Sequence, residues 1–135
     1  MAQGSSGYNL ITNADVTTSG TIAALSQSVA LTLNGQSSAS IQITGTWVGT
    51  LQFEGSLDGT SWTAINSTLA STSVPVTTGN TNGLYRLTPG GFQQFRVVST
   101  SWTSGTAIVT IRASIGTAGV FANQIMPIKI YDGTN

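Results

Sequence analysis

The chain is 135 residues long with formal charge zero, and its only charged side chains are Arg86, Arg96, Arg112, Lys129, Asp15, Glu54, Asp58 and Asp132. That length suits one folded domain, and scattered cations make no basic stripe of the kind phosphate neutralisation needs, so nucleic acid is not an expected partner. With neither Cys nor His, the chain lacks thiolate nucleophiles, disulfides and the side chains most used for proton transfer near neutral pH and for transition-metal binding.

No apolar run approaches the roughly 20 residues that span a bilayer. The first stretch is polar, with no cationic start or hydrophobic core of a signal peptide, so the expectation is synthesis in the cytoplasm without processing or a membrane span. A neutral surface of Ser, Thr, Asn, Gln and Gly is prone to self-association, since little repulsion keeps copies apart.

Residues 1–20 are rich in Gly, Ser, Asn and Thr and read as an extended N-terminal arm with one apolar patch at Tyr8, Leu10 and Ile11. The run from Gly4 to Gly7 also resembles a cloning scar and carries no weight. From Thr21 onward short runs alternate apolar with polar, the period of a half-buried strand. Val29, Leu31 and Leu33 come first, then Ala39, Ile41 and Ile43, then Leu51 and Phe53 against Gln52 and Glu54. Asp58-Gly59 is read as a two-residue hairpin turn, its glycine supplying positive φ, before a strand from Trp62 to Ile65.

Residues 67–83 read as a long surface loop carrying one short edge strand, because Pro75 in Val74-Pro75-Val76 cannot donate to a central ladder. Leu84 to Leu87, Phe95 with Val97, and the alternating series Ala107, Val109, Ile111, Ala113 and Ile115 complete the pattern. Thr and Gly throughout disfavour helix. The sum is an all-β chain, a β-sandwich or jelly roll of about seven or eight antiparallel strands with extended arms. Residues 21–116 are assigned to the sandwich domain and 117–135 to a C-terminal arm or exchanged strand. In that tail Val120, Phe121, Ile125, Met126, Ile128, Ile130 and Tyr131 are apolar enough to require burial, either in the chain's own sheet or as a strand added to a neighbouring subunit.

Trp47-Val48-Gly49-Thr50 and Trp102-Thr103-Ser104-Gly105-Thr106 echo each other, each placing an indole at one end of a tight connection, and read as two hairpins capping one end of the sandwich. Glu54 and Asp58 are the nearest pair of carboxylates. Asp58 is the expected turn residue and Glu54 reads as solvated, so neither an acid–base pair nor a calcium site is expected there. No base stands near a Ser or Thr to activate it, no phosphate-binding glycine loop is present, and no cofactor or metal is expected. Trp62 reads as a core or capping residue. Trp47 and Trp102 are the candidates for a ligand site, as indoles on which sugars stack.

Within residues 45–65, a strand ending in Glu54-Gly55-Ser56 leads through Asp58-Gly59 to Trp62. This hairpin resembles one recurrent in structural proteins of tailed bacteriophages, and more weakly one in discoidin-like jelly rolls. The phage resemblance implies a non-enzymatic virion protein, most of all a capsid decoration or cement subunit. Its implied partners are further copies of itself, as a trimer or other homo-oligomer, and the major capsid or tail proteins, with the two arms as contacts. The alternative is a tail- or fibre-associated module that binds carbohydrate or a receptor, with surface glycans as partners.

Overall fold

The computed structural model describes residues 15–115. They form no helix; nine antiparallel strands run β1 (Val16–Ile22), β2 (Ser28–Thr32), β3 (Ser38–Ser56), β4 (Thr63–Ala64), β5 (Ser67–Leu69), β6 (Val74–Val76), β7 (Thr78–Gly79), β8 (Gly83–Leu87) and β9 (Gln94–Ser114). All belong to one sheet ordered β1-β9-β3-β8-β5-β6, with β2 on β9 and both β4 and β7 on β3. The all-β reading therefore stands, with the strands joined in a single hydrogen-bonded sheet.

Two long strands organise it. β3 and β9 pair along their whole length, from Ser114 opposite Ser38 to Gln94 opposite Ser56. Straight, the 21 residues of β9 would span about 70 Å. Yet Thr32 lies opposite Gln94 and Ser38 lies at Ser114, and the connection between Thr32 and Ser38 reaches at most about 20 Å. Leu33 N–H donates to Gln93 O at 2.9 Å and Ser37 N–H to Ser114 O at 3.1 Å, so the connection touches both ends of β9. The sheet must fold back on itself halfway along, and its two halves become the two layers of a sandwich.

The fold-back occurs where β9 shifts register against β3, between Ser99 and Ser101 and again between Trp102 and Ser104. Each shift is one extra residue on β9, a bulge that bends the strand. One bulge alone would turn the apolar set of one half to the outside, since side chains alternate with period two; two restore the phase. Hence Phe95 and Val97 in one half and Ala107, Val109, Ile111 and Ala113 in the other are all buried inside, facing Ile41, Ile43, Leu51, Phe53 and Tyr85. Gly45 (φ 99°) and Gly105 (φ 86°) serve the bend. A Cβ on Gly105 would lie 2.2 Å from Thr46 O, and one on Gly45 2.5 Å from Thr106 O.

On the inside of the bend the chain takes a shorter path from β1 to β2. Buried Ser99 satisfies this corner: its N–H donates to Gln27 O (2.9 Å), its hydroxyl to Ala24 O (2.6 Å), and its carbonyl accepts from Ser26 N–H (3.0 Å).

Three expectations need correcting. The sheet begins at Val16, so residues 16–20, assigned to the arm, are strand; β1 pairs with β9 from Val16 opposite Ala113 to Ile22 opposite Ala107. Thr18 and Gly20 occupy two of its three half-buried positions, beside Val16, which hides the alternation. The connection from β3 to β4 is longer than a two-residue turn, since Gly55 pairs with Thr63. Gly59 does adopt positive φ within it, 77°. Finally, the 67–83 stretch holds three short strands, and Pro75 sits in β6, which pairs only with β5 among the described residues, as an edge strand should.

Candidate functional site

The two bulges have a local consequence at the bend. Between them the phase of β9 is inverted, so even-numbered Trp102 lies on the same face as odd-numbered Trp47 of β3. Trp102 pairs with Gly49, which makes Trp47 its diagonal neighbour, within reach of an aromatic ring. The two indoles stack, ring centroids 5.6 Å apart and planes 5° from parallel. Gly49 leaves the room: a Cβ there would come 2.7 Å from Trp102 Cε3. Both rings are half-buried and pack against the core cluster, capping it at the bend. The expected shared end is found, but the indoles belong to two continuous strands, not to two hairpins.

Trp47 is held on a second side. Its Nε1–H donates to Asn82 Oδ1 at 2.7 Å, and Asn82 Nδ2 donates to Gly45 O at 2.8 Å. Trp102 Nε1–H donates to Gly105 O at 3.3 Å. Beside Trp47 opens a notch of about 330 Å³ lined by Gly45, Thr46, Trp47, Asn80, Thr81 and Asn82. Thr81 O accepts from the hydroxyl of buried Tyr85 at 3.1 Å, which ties the 80–82 segment to the core. Sequence reasoning found both indoles but missed Asn80 and Asn82, which lie more than thirty positions from Trp47.

The outer face of the β3–β9 pair carries a charged group. Arg96 lies opposite Glu54; its guanidinium meets Glu54 Oε1 at 2.7 Å and covers the Trp62 ring at 4.2 Å from the centroid. Gln52 Nε2 donates to Glu54 Oε2 at 2.6 Å. Glu54 is thus buried and paired, where the sequence suggested a solvated side chain. Trp62 is half-buried outside the core cluster, so of the two readings given for it, core or capping residue, the first does not hold. Both errors have one cause, because Arg96 of the neighbouring strand joins Glu54 and Trp62 on the outer face, a contact that the alternation within a strand does not reveal.

In the β3–β4 connection Asp58 Oδ1 accepts from Thr60 N–H (2.8 Å), Ser61 N–H (2.8 Å) and the Ser56 hydroxyl (3.0 Å). The Ser61 and Thr60 amides and the Ser56 hydroxyl hold its pKa down from the usual 3.8 to about 2. This is turn chemistry, as expected of Asp58. Next to it a hollow of about 380 Å³ is lined by Leu57, Ile65 and Phe92 among others, and Phe92 lies over Gly55, where a Cβ would be 2.7 Å away. Among the described residues no group of three or more acidic side chains is placed to hold a metal ion, and no helix is long and apolar enough to cross a membrane.

Tyr8, Leu10, Ile11, Val120, Phe121, Ile125, Met126, Ile128, Ile130 and Tyr131 lie outside the described residues. What is defined is where their segments attach. Val16 is paired with Ala113, Arg112 is bonded to Asp15, and the Ser37 hydroxyl donates to Ile115 O. The described chain starts and stops side by side, at the end of the sandwich away from the indole-capped bend.

No protein-family model matches the chain, and no curated protein matches it either. Solved structures that share its fold include the SPBc2 prophage-derived protein YomS, at TM-score 0.62 and 17% identity over 74% of this chain and 95% of that one. The PBSX exported protein XepA matches at TM-score 0.62 and 17% identity over 73% of this chain, but over only 38% of its own length. The sheet described above is therefore a fold found in phage-derived proteins.

Proposed function

We propose that this chain is a non-enzymatic structural subunit of a phage particle, a capsid decoration or cement protein that works as a homo-oligomer on the virion and meets the major capsid or tail proteins through its terminal segments. The observation that carries this reading is that residues 1–14 and 116–135 attach side by side at one end of the described domain, away from the bend. Two segments, the second rich in apolar residues, can then engage neighbours at one place. The shared fold with phage-derived proteins supports the phage setting.

The described carboxylates also favour a structural role over catalysis. Asp15 is paired with Arg112, Glu54 with Arg96, and Asp58 is spent on its own turn. No two of them converge on a site where one would give a proton and the other take it.

The test is the native mass by light scattering of the full chain and of a form lacking residues 120–135. The expected result is a trimer or larger oligomer for the first and a folded, largely monomeric protein for the second. A full chain that is a monomer, or an oligomer unchanged by the deletion, refutes the proposal.

A further inference from the structure

We infer that the notch beside Trp47 is a binding site for an uncharged glycan. This goes beyond the assembly role and does not depend on it, because it rests on the geometry of the bend alone.

The notch has what such a ligand needs. A sugar carries a rim of hydroxyls, which amides and hydroxyls meet, and Asn80, Thr81 and Asn82 line the notch beside the indole of Trp47. Trp47 is rigid: Trp102 backs one face of its indole and Asn82 holds its Nε1–H. Asn82 is itself fixed by Gly45 O, yet it keeps one N–H and a carbonyl lone pair for a ligand. Asn80 is exposed and its amide makes no hydrogen bond within the described residues, so it offers a full set of donors and acceptors at the same opening. The site is prearranged, which lowers the entropy lost on binding.

Charge selects the ligand class. Among the described residues none of the charged side chains lines the notch, so an anionic sugar or phosphate would lose hydration there with no cation in return. At about 330 Å³ the space is at the small end of ligand sites, roughly 300–1,000 Å³, which suits one or two sugar rings. The notch also lies at the bend, away from the end where the terminal segments attach, so a glycan can be held while those segments are engaged.

The experiment is titration of the full-length ¹⁵N-labelled protein with maltose, cellobiose and N,N′-diacetylchitobiose, with 3′-sialyllactose and inorganic phosphate as anionic controls, following the Trp47 indole N–H resonance. The expected result is a saturable shift of that resonance with at least one neutral disaccharide. Asn80→Ala, a change at an exposed side chain that leaves the fold intact, is expected to weaken binding about tenfold for one or two lost hydrogen bonds without altering thermal stability. Trp47→Phe removes the Nε1 bond to Asn82 together with the resonance followed, so its binding is read on the Trp102 indole N–H, which stacks beside it, and is expected to be retained but weaker. No shift with any neutral disaccharide, a shift confined to the anionic controls, or binding indifferent to Asn80→Ala each overturns the inference.

Discussion

Gly105 is the place where the bend is most exposed to a single methyl group. Its φ of 86° lies in the region that L side chains avoid, at a cost of about 1–2 kcal/mol for any other residue. A Cβ would also meet Thr46 O at 2.2 Å, Trp47 Cα at 2.7 Å and Thr46 C at 3.0 Å. These are backbone atoms of the paired strand and cannot rotate away, so β3 and β9 must separate locally, at an overpacking cost of about 1–3 kcal/mol. Gly91 is the natural control. It has a similar φ of 90°, in a turn closed by Phe92 N–H to Pro89 O at 3.0 Å, and nothing lies within 4 Å of where its Cβ would be. Gly91→Ala is therefore expected to cost about 1–2 kcal/mol, from conformation alone, and Gly105→Ala about 2–5 kcal/mol, from conformation and overlap together. Urea unfolding followed by tryptophan fluorescence measures both. Near-ultraviolet circular dichroism reports separately on the Trp47–Trp102 stack, which should weaken in Gly105→Ala and persist in Gly91→Ala. If the two variants agree within about 0.5 kcal/mol, the spread usual for unremarkable surface sites, the close approach of the strands at the bend is not a constraint and the account given for it is wrong.

Arg96→Ala leaves Glu54, whose side chain is only 12% exposed, without its cation, and is expected to cost about 1–3 kcal/mol. Removing the guanidinium also uncovers Trp62, so the fluorescence emission should move to longer wavelength; unchanged emission with unchanged stability would refute the pairing. Acid stability carries the signature of Asp58. Its folded pKa of about 2 lies below the usual 3.8, so its contribution is complete above pH 3.8 and is lost as pH falls toward 2. In Asp58→Asn that part of the acid-induced decline should be missing, and thermal unfolding measured between pH 5 and pH 2 for both proteins decides it; parallel declines would show that the turn carboxylate does not contribute.

The amino-acid sequence alone specifies much of the inside of this protein. Ile41, Ile43, Leu51, Phe53, Phe95, Val97, Val109 and Ile111 declare themselves as inward-facing because alternation is a property of each strand by itself, whatever it pairs with. Gly59 and Pro75 are equally local, one by its freedom at positive φ and the other by its missing donor. What lies beyond that reach depends on partners distant in the chain. Two bulges in β9 exist only in relation to β3, and they decide that the sheet folds back with one face inside and that Trp102 joins Trp47. Glu54 is paired because Arg96 stands opposite it on β9, and β1 is a strand because β9 supplies its hydrogen bonds despite its small side chains. The notch beside Trp47 belongs to the same class: its indole is visible in the sequence, but Asn80 and Asn82 reach it only through the return of the chain along the second layer. Strand character is thus written residue by residue, whereas register, curvature and the convergence of side chains are set by pairing, which only the folded sheet decides.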